Sequence, residues 1–403
     1  MIVNIKPSIV KGKVTAPSSK SMCHRLLICA GLSEGKSEIK NVLYSEDILA
    51  SIDCLKTMGA EVKICGDTVT IEGISPSESA GGVYKCRESG STLRFFIPLS
   101  MLGKGESLFT GYGRLMERPM TVYEDISAQK NISYCKTTLG IKVGGTLTAG
   151  KFTVPGNISS QFISGLLFAL PMCDGNSEIE LTDTIESRSY IDMTLQAMSL
   201  FGVNAQWKNE HTLFIPGNQQ YKSRDLTVEG DYSNAAFLDA FNLVGGDVET
   251  EGLREDTLQG DSIYKEYFEL LRSSSPTLDI KNCPDLAPIL MTIAAAKNGC
   301  KLTNTARLKI KESDRGVVMA QELSKFGADI YVGDNEIIVN KAELYTPKDD
   351  LYCHNDHRVV MSLSVLASVY GGRLIGAEAV KKSFPDFFEK TKALSLEVEI
   401  YDN

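Results

Sequence analysis

A pattern of apolar and polar positions recurs along the chain: an apolar stretch of helical character, then a glycine, then a short strand-like stretch. Such a glycine suits a helix C-terminus, where a residue in the left-handed conformation is favoured. The six glycines are separated by 70, 70, 71, 53 and 73 residues, and this spacing predicts a repeated structure. The six copies occupy residues 26–43, 97–111, 166–183, 237–253, 293–306 and 364–380, and their glycines are Gly35, Gly105, Gly175, Gly246, Gly299 and Gly372.

A second element lies between these copies: a helix that ends at a glycine, followed by two strands around a turn. It is clearest where the strands carry the β-branched residues that sheets favour. Six repeats of about 70 residues, each with two helices and about four short strands, predict an α/β protein. The clear copies are residues 54–73, 197–217 and 322–341, and weaker ones lie near 124–155, 264–281 and 387–402.

The six repeats are predicted to form two groups of three. The division should fall near Arg224–Thr227, because the polar stretch at residues 217–225 is typical of a linker. Two domains of this size often enclose a ligand between them.

A short polar motif precedes the first helix of each repeat. Serine, aspartate, asparagine and glycine are preferred helix N-caps, so capping alone explains any single motif. Six converging helix N-termini would also offer N–H donors and partial positive charge, which attract phosphates and carboxylates. The motifs are Ser18–Ser21, Glu88–Ser91, Ser159–Gln161, Asp231–Ser233, Pro284–Asp285 and Asn355–Arg358.

Composition is that of a globular protein, with 43% apolar and 23% charged residues. The chain has 42 Lys and Arg against 51 Asp and Glu, a net charge of −9, so we expect no nucleic-acid-binding surface. Eight basic residues nevertheless lie close to the polar motifs. They would either bind an anionic ligand or lie on solvated helix faces: Lys20, Arg25, Arg94, Arg118, Lys311, Arg315, Arg358 and Lys382.

Three features of the sequence bear on the cellular compartment: its first residues, its apolar runs and its cysteines. We see no secretory signal in its first residues and no apolar run near the roughly 18 residues that span a bilayer. Its ten cysteines are scattered without a CxxC pair, which is typical of reduced thiols. We therefore expect a cytoplasmic protein that does not associate with membranes.

Two motifs formally match other kinds of site. Residues 30–37 match a P-loop with alanine in the first position, but a P-loop follows a strand and opens a helix. Here the segment follows a helical stretch and precedes a strand-like one. Cys353, His354 and His357 could ligate a metal, but Arg358 would repel a cation and no fourth ligand is evident. We expect neither nucleotide binding at the loop nor a metal.

At its polar motifs the chain resembles the EPSP synthase (3-phosphoshikimate 1-carboxyvinyltransferase) family of enolpyruvyl transferases. The matching segments follow the family's order over nearly the whole chain, and KESDR, NDHR and SFPDFF together are highly specific. The segments are PSSKSMCHR (17–25), SGSTLR (89–94), MERP (116–119), SSQF (159–162), SRSYID (187–192), PDLAP (284–288), KIKESDR (309–315), NDHR (355–358) and KSFPDFF (382–388).

The resemblance implies an inside-out α/β barrel fold: two domains, each of three βαβαββ repeats, with helices inside and sheets outside. Residues 19–227 would form the domain that binds mainly shikimate 3-phosphate. Residues 1–18 with 228–403 would form the second domain, and the active site would lie in the cleft between them. We also expect the protein to be a monomer.

The implied reaction transfers the enolpyruvyl group of phosphoenolpyruvate to the 5-hydroxyl of shikimate 3-phosphate and releases phosphate, on the pathway to chorismate and the aromatic amino acids. It proceeds by addition and elimination through a tetrahedral intermediate. The chemistry needs an acid and a base at one centre and cations for two anionic substrates, but no metal or cofactor. Because Gly90 leaves room beside the phosphate site, glyphosate should compete with phosphoenolpyruvate.

The resemblance also implies a role for each matching residue. Asp285 would act on the 5-hydroxyl as general base, and Glu312 and Lys20 are the other catalytic candidates; which of the three moves which proton stays open. Phosphoenolpyruvate would be bound by Lys20, Gly90, Arg94, Arg118, Gln161, Arg315, Arg358 and Lys382. Shikimate 3-phosphate would be bound by Ser21, Arg25, Ser159, Ser160, Gln161, Ser187, Tyr190, Asp285 and Lys311.

Three residues depart from the family pattern: Glu88 and Arg307 stand where members carry Asn, and Phe95 where others carry Pro. None removes a group that the chemistry needs. The nearest competing function is enolpyruvyl transfer to UDP-N-acetylglucosamine, but that enzyme has a cysteine in the loop that here reads GYGRLMERP (111–119). A phosphate-binding repeat protein without catalysis and a P-loop nucleotidase are two further candidate functions.

Overall fold

The computed structural model describes residues 1–401. The last two residues of the predicted second domain, and with them the end of the predicted element at 387–402, lie outside the described part. The helices are α1 Lys20–Gly31, α2 Glu46–Met58, α3 Gly90–Ser100, α4 Thr121–Gln129, α5 Ser160–Ala169, α6 Arg188–Leu200, α7 Tyr232–Asp239, α8 Tyr264–Ser273, α9 Ala287–Ala296, α10 Arg315–Ser324, α11 His357–Tyr370 and α12 Phe387–Ala393.

The strands are short. They are β1 Ile2–Ile5, β2 Lys11–Thr15, β3 Ser33–Glu34, β4 Lys36–Lys40, β5 Glu61–Cys65, β6 Thr68–Glu72, β7 Gly82–Lys85, β8 Ser107–Thr110, β9 Ser133–Thr137, β10 Gly140–Gly144, β11 Gly150–Pro155, β12 Ser177–Thr182, β13 Gln206–Asn209, β14 Thr212–Ile215, β15 Tyr221–Lys222, β16 Leu226–Thr227, β17 Asp247–Glu251, β18 Thr277–Asp279, β19 Cys300–Thr303, β20 Asp329–Val332, β21 Glu336–Asn340, β22 Leu351–Tyr352, β23 Gly372–Ile375 and β24 Val398–Tyr401.

The chain divides into two compact units, Ser18–Glu229 and Met1–Pro17 with Gly230–Asn403. The first unit has four-stranded sheets of order β16-β4-β6-β5, β7-β8-β10-β9 and β11-β12-β14-β13. The second has β18-β19-β21-β20, β22-β23-β1-β24 and the pair β17-β2. In each four-stranded sheet the first two strands are parallel and the others antiparallel, which is the pattern of a βαβαββ repeat.

Three repeats depart from the predicted layout. The first takes β16, which lies at the predicted division near Arg224–Thr227, as the first strand of its sheet. After α8 the chain passes directly to β18, so the hairpin predicted near residues 264–281 is wrong, and the sheet of the fourth repeat is the pair β2 and β17. This missing hairpin accounts for the one short spacing of 53 residues. The last repeat takes β1 from the N-terminus as its third strand. In the described part of 387–402, one strand follows α12 where two were predicted.

Two of the repeated glycines, Gly35 and Gly105, have a different role from the one predicted. Gly35 lies four residues after α1 ends at Gly31, in a turn with φ of +87°, so it does not end the helix. A Cβ on Gly105 would lie 1.7 Å from the carbonyl oxygen of Ala80, so glycine is needed there for close chain approach. Gly59, by contrast, is the left-handed C-cap of α2, as predicted.

Helices form the interior of each unit. In the first unit α1, α3 and α5 are almost wholly buried, and in the second α9 and α11 are. Gly165 lets α5 approach its neighbours closely, because a Cβ there would lie 2.3 Å from the carbonyl oxygen of Arg94 and 2.4 Å from Oη of Tyr123. Strands such as β6 alternate, burying Val69 and Ile71 against the helices and leaving the other face more exposed.

No helix within residues 1–401 is long and apolar enough to cross a bilayer.

Candidate active site

Lys20 opens α1 and is paired with a carboxylate. Ser19 caps the helix by accepting a hydrogen bond from the Met22 amide, and Lys20 Nζ donates to Asp47 Oδ2 at 2.9 Å. Asp47 lies in the first turn of α2, and nothing in the sequence singled it out. The pair holds the ammonium of Lys20 in place while 16% of its side chain remains exposed.

Arg25 is buried and held from three sides. Its Nε donates to Thr194 Oγ1 at 2.8 Å, its Nη1 to the Ser21 carbonyl at 2.6 Å, and its Nη2 to the Tyr190 carbonyl at 2.8 Å. Burial lowers the pKa of Arg25 to about 10, so the guanidinium stays charged at neutral pH. Ser187 precedes α6 with a φ of +56°. Helices α1 and α6 pack against each other. Four residues predicted to bind shikimate 3-phosphate lie in or beside their first turns: Ser21, Arg25, Ser187 and Tyr190.

A second cluster joins the start of α3 to the start of α5. Arg94 Nη1 donates to Gln161 Oε1 at 2.6 Å, and Gln161 Nε2 donates to Ser91 Oγ at 3.0 Å. Gly90 begins α3, and a Cβ there would lie 2.7 Å from Arg118 Nη1 and 3.5 Å from Gln161 Oε1. Because both arginines are buried, this cluster places two guanidinium groups beside a helix N-terminus.

The start of α5 supplies the remaining predicted residues of this unit. Ser159 caps the helix by accepting from the Gln161 amide at 3.3 Å, and Ser160 is its first residue. Both serines are buried. The capping by Ser159 agrees with the capping interpretation of this motif. The contact of both serines with shikimate 3-phosphate stays a prediction.

The departures from the family pattern in this unit do not block these clusters. A Cβ on Gly113 would lie 2.6 Å from Glu88 Oε2, so the Glu88 carboxylate lies against that loop. Phe95 is buried and packs edge-to-face with Phe168, at 5.4 Å between ring centroids.

Arg315 is the centre of an ion-pair network in the second unit. It is 1% exposed and donates from Nη1 to Asp285 Oδ1 at 2.7 Å and from Nη2 to Glu312 Oε2 at 2.7 Å. Its Nε donates to Asp356 Oδ2 at 2.9 Å. Burial lowers the pKa of Arg315, but the three carboxylates outweigh that effect and raise it. One guanidinium therefore holds together the two carboxylates predicted for acid–base chemistry.

Three further predicted cations belong to this cluster. Lys311 Nζ lies 3.1 Å from Asp285 Oδ1, and Arg358 Nη2 lies 3.7 Å from Asp285 Oδ2. Lys382 Nζ donates to the carbonyl of Asn355 at 2.7 Å. Burial lowers the pKa of Lys311, although 23% of its side chain is exposed and Asp285 opposes the shift.

Arg307, the third departure, is buried. Its positive charge contributes to the lowered pKa of Lys311, so the two cations lie near one another. The substitution therefore adds positive charge beside a predicted substrate residue.

Sequence reasoning missed part of what two carboxylates of this cluster do. Asp356 lies within the NDHR motif, where a helix cap was predicted, and it caps α11 by accepting from the Arg358 amide at 2.9 Å. Its hydrogen bonds from Ser313 Oγ and from Arg315 Nε, both at 2.9 Å, were not predicted. Asp261 was not predicted at all. Its burial, and then its repulsion by Asp285, raise the pKa of Asp261 to about 6. The segment around Asp261 shows no pattern that would have marked it.

The two motifs that formally matched other sites are accounted for. Residues 30–37 run from the end of α1 into β3 and β4, which is not the strand–loop–helix order of a P-loop. Across the described chain, no three His, Cys, Asp or Glu side chains are placed to hold a metal ion. His354 instead lies with Nε2 3.0 Å from Glu322 Oε1.

The repeated α/β fold and the clusters of cations at its helix starts define a class, the proteins that bind small anionic ligands. The family model described as EPSP synthase (3-phosphoshikimate 1-carboxyvinyltransferase) matches residues 5–391. The chain belongs to the EPSP synthase family.

Similar proteins agree over nearly the full length. The chain is 38% identical over 419 residues to a 3-phosphoshikimate 1-carboxyvinyltransferase of Clostridium kluyveri, covering 98% of each chain. It is 40% identical over 419 residues to one of Clostridium perfringens, covering 97% of this chain and 98% of the relative. A solved EPSP synthase from Acinetobacter baumannii superposes with a TM-score of 0.81 at 22% identity over the whole of both chains, which confirms the predicted fold class.

Proposed function

We propose that this chain transfers the enolpyruvyl group of phosphoenolpyruvate to the 5-hydroxyl of shikimate 3-phosphate. The products are 5-enolpyruvylshikimate 3-phosphate and phosphate, and the reaction is a step toward chorismate and the aromatic amino acids. Family membership supports the proposal. The observation that carries it is the Arg315 network, which holds Asp285 and Glu312 on one guanidinium among other cations.

Both substrates carry several negative charges, so their binding needs cations already in position. We propose that shikimate 3-phosphate binds mainly to the unit that contains residues 19–227, through Ser21, Arg25, Ser187 and Tyr190 at the starts of α1 and α6. Lys311 and Asp285 would complete its site. A buried arginine held by hydrogen bonds loses little freedom when a phosphate binds, which favours affinity. The start of α5, at Ser159 and Ser160, would add serine hydroxyl groups.

Phosphoenolpyruvate would bind to the clusters that contain Arg94, Arg118 and Gln161, and to Arg315, Arg358 and Lys382. Gly90 exposes the N-terminal N–H groups of α3 next to two guanidinium groups, and such a place favours a phosphate. Arginine pairs with the pyruvyl carboxylate in a bidentate manner.

The proton transfers follow from the same groups. In the addition, we propose that Asp285 accepts the proton of the 5-hydroxyl as its oxygen bonds to C2 of phosphoenolpyruvate. Glu312 protonates C3, and the surrounding cations stabilise the tetrahedral intermediate. In the elimination, the bond from C2 to the phosphate oxygen breaks, Glu312 takes back a proton from the new methyl group as the double bond between C2 and C3 re-forms, and phosphate leaves with the proton that Asp285 had accepted. Lys20 is the alternative group for the protons at C3.

The experiment that tests the function is an assay of phosphate release from phosphoenolpyruvate by the purified protein. Parallel reactions would contain shikimate 3-phosphate, UDP-N-acetylglucosamine or no acceptor. Release with shikimate 3-phosphate alone is the expected result. Release only with the nucleotide sugar would assign the chain to the related transferase, and release with neither acceptor would contradict the proposal.

We also propose that the protein is a cytoplasmic monomer. All ten cysteines are free thiols, which suits a reducing compartment. Light scattering coupled to size exclusion, with a mass near 44.0 kDa expected, tests the monomer.

A further inference from the structure

The segment from Tyr352 to Arg358 is connected to three cations of the proposed phosphoenolpyruvate site. Arg358 belongs to the segment, Lys382 donates to the carbonyl of Asn355, and Arg315 donates to the carboxylate of Asp356. The conformation of this short segment therefore decides where three positive charges lie.

That conformation is unfavourable by itself. His354 and Asn355 both have positive φ, +48° and +53°, in two consecutive residues that are not glycine. Such residues persist only where the surrounding structure holds them. The amide of Asp356 closes the turn by donating to the carbonyl of Cys353 at 2.9 Å, but this bond is local to the turn.

Glu322 of α10 supplies a hold from outside the segment. Its Oε2 accepts from the Tyr352 amide at 2.8 Å, and its Oε1 lies 3.0 Å from His354 Nε2. Because a carboxylate can only accept, His354 Nε2 carries the hydrogen. One fully buried carboxylate thus binds the residues on both sides of Cys353.

The charge of Glu322 is balanced within the fold. Lys325 Nζ donates to Glu322 Oε2 at 2.6 Å and to the carbonyl of Asp350 at 2.8 Å. Burial raises the pKa of Glu322, but the hydrogen bonds from His354, Lys325 and the Tyr352 amide outweigh burial and lower it. The Glu322 carboxylate is therefore ionised, and both of its oxygens accept hydrogen bonds.

Helix α10 holds the segment at two places. Its first residue, Arg315, binds Asp356, and Glu322, seven residues further along, binds Tyr352 and His354. Seven residues are about two helical turns, so the segment is fixed along about 10 Å of one rigid element.

We propose that Glu322 is a positioning residue for phosphoenolpyruvate: by holding Tyr352 and His354 it maintains the left-handed turn that places Arg358, Asp356 and the carbonyl partner of Lys382. The inference rests on the proposed function. Glu322 itself touches no substrate in this proposal.

The test compares Glu322→Gln with the unsubstituted protein. We expect the KM for phosphoenolpyruvate to rise about tenfold or more, since a hydrogen bond to a buried charge is lost. The KM for shikimate 3-phosphate should rise less than that for phosphoenolpyruvate, because most of its proposed residues lie at the starts of α1, α5 and α6 and only Asp285 and Lys311 adjoin the Arg315 network. Hydrogen exchange without substrate should become faster in the peptide that covers residues 352–358 and stay unchanged in the strands β19 and β21.

Leu323→Ala is the matched control. Leu323 is fully buried on the same helix, but its apolar side chain cannot hold the turn by hydrogen bonds. It should lower the melting temperature without a selective rise in the KM for phosphoenolpyruvate. If Glu322→Gln behaves like Leu323→Ala, the positioning role is wrong.

His354→Ala keeps the test decisive if Glu322→Gln does not fold, because His354 is partly exposed and provides only one of the two contacts. An unchanged KM and unchanged exchange in that variant would overturn the proposal. Turnover by the unsubstituted protein tests the proposed function separately. If turnover is absent, the function fails, and the exchange comparison still decides whether Glu322 holds the segment.

Discussion

A Cβ atom on Gly90 would lie 2.7 Å from Nη1 of Arg118. Arg94 Nη1 would be 3.3 Å from the same position, and the hydrogen bond from Arg94 to Gln161 fixes that guanidinium. Two cations therefore occupy the space where any other residue would carry a side chain. Glycine permits the N–H groups of α3 and both guanidinium groups to face one anion.

Gly90→Ala should weaken phosphoenolpyruvate binding. Overpacking by one methyl group costs ~1–3 kcal/mol, so we expect the KM for phosphoenolpyruvate to rise about tenfold while the KM for shikimate 3-phosphate changes little. Glyphosate should compete with phosphoenolpyruvate in the unsubstituted protein and bind less tightly to the variant. Steady-state kinetics with each substrate varied in turn would measure these changes.

Gly144→Ala is the control for that substitution. An added Cβ there would meet chiefly the flexible side chain of Glu106, with Cγ at 3.2 Å. Unchanged kinetics in this control and a selective effect at Gly90 would support the assignment. Equal KM values for phosphoenolpyruvate before and after Gly90→Ala would contradict it.

Asp285→Asn should reduce kcat by about 10² to 10⁴, the usual contribution of a general acid or base. Arg315 keeps Glu312 and Asp356 as partners, so we expect the variant to fold. Binding of shikimate 3-phosphate, measured by calorimetry, should persist with a change of about tenfold at most. A variant that turns over normally would show that another group takes the hydroxyl proton. The exposed Asp334→Asn serves as the control.

The repeated architecture could be predicted because each repeat reuses the same elements. The sequence prediction placed domain boundaries at 18/19 and 227/228, and the compact units divide at 17/18 and 229/230. The missing fourth hairpin was not predicted, because α8 and β18 resemble the start of a hairpin locally. Strand β1, from the N-terminus, joins the last sheet and pairs Ile2 with Ile375. No local sequence pattern encodes such a contact between opposite ends of the chain.

The candidate site was less accessible to sequence reasoning. Cations and N-caps could be named because they lie within or beside the polar motifs that precede the helices. Asp47, Asp261 and Glu322 could not, because each acts through a partner from a distant segment: Lys20, Asp285 and His354. Nothing in the residues around them differs from an ordinary helix or loop.

Lys36→Ala should leave turnover and stability unchanged. Lys36 lies at the start of β4, and 64% of its side chain is exposed. Its Nζ lies 3.9 Å from Oε1 of Glu38. Exposed pairs of this kind contribute ~0–1 kcal/mol. Calorimetry with ATP would detect nucleotide binding, which we expect in neither protein. Nucleotide binding that disappears with this lysine would instead favour a P-loop.

Asp261→Asn should stabilise the protein at neutral pH. The pKa of Asp261 is raised from its ordinary 3.8 to about 6 by burial and by Asp285, against the attraction of Arg358. Between these values the folded protein keeps a proton that the unfolded chain has lost, so this group's contribution to stability falls as pH rises. Asparagine remains neutral, and we expect a gain on the order of 2 kcal/mol at about pH 7.5. Near pH ~4 the gain should be close to zero.

Urea unfolding at the two pH values measures this difference. Asp334→Asn, which changes an exposed carboxylate paired with Lys309, should alter the free energy of unfolding by less than about 1 kcal/mol at both. A gain for Asp261→Asn that is larger at the acidic pH than at the neutral one would mean that Asp261 is stabilised as a carboxylate. In that case Arg358 would outweigh both burial and Asp285, and the pKa of Asp261 would lie below its ordinary value.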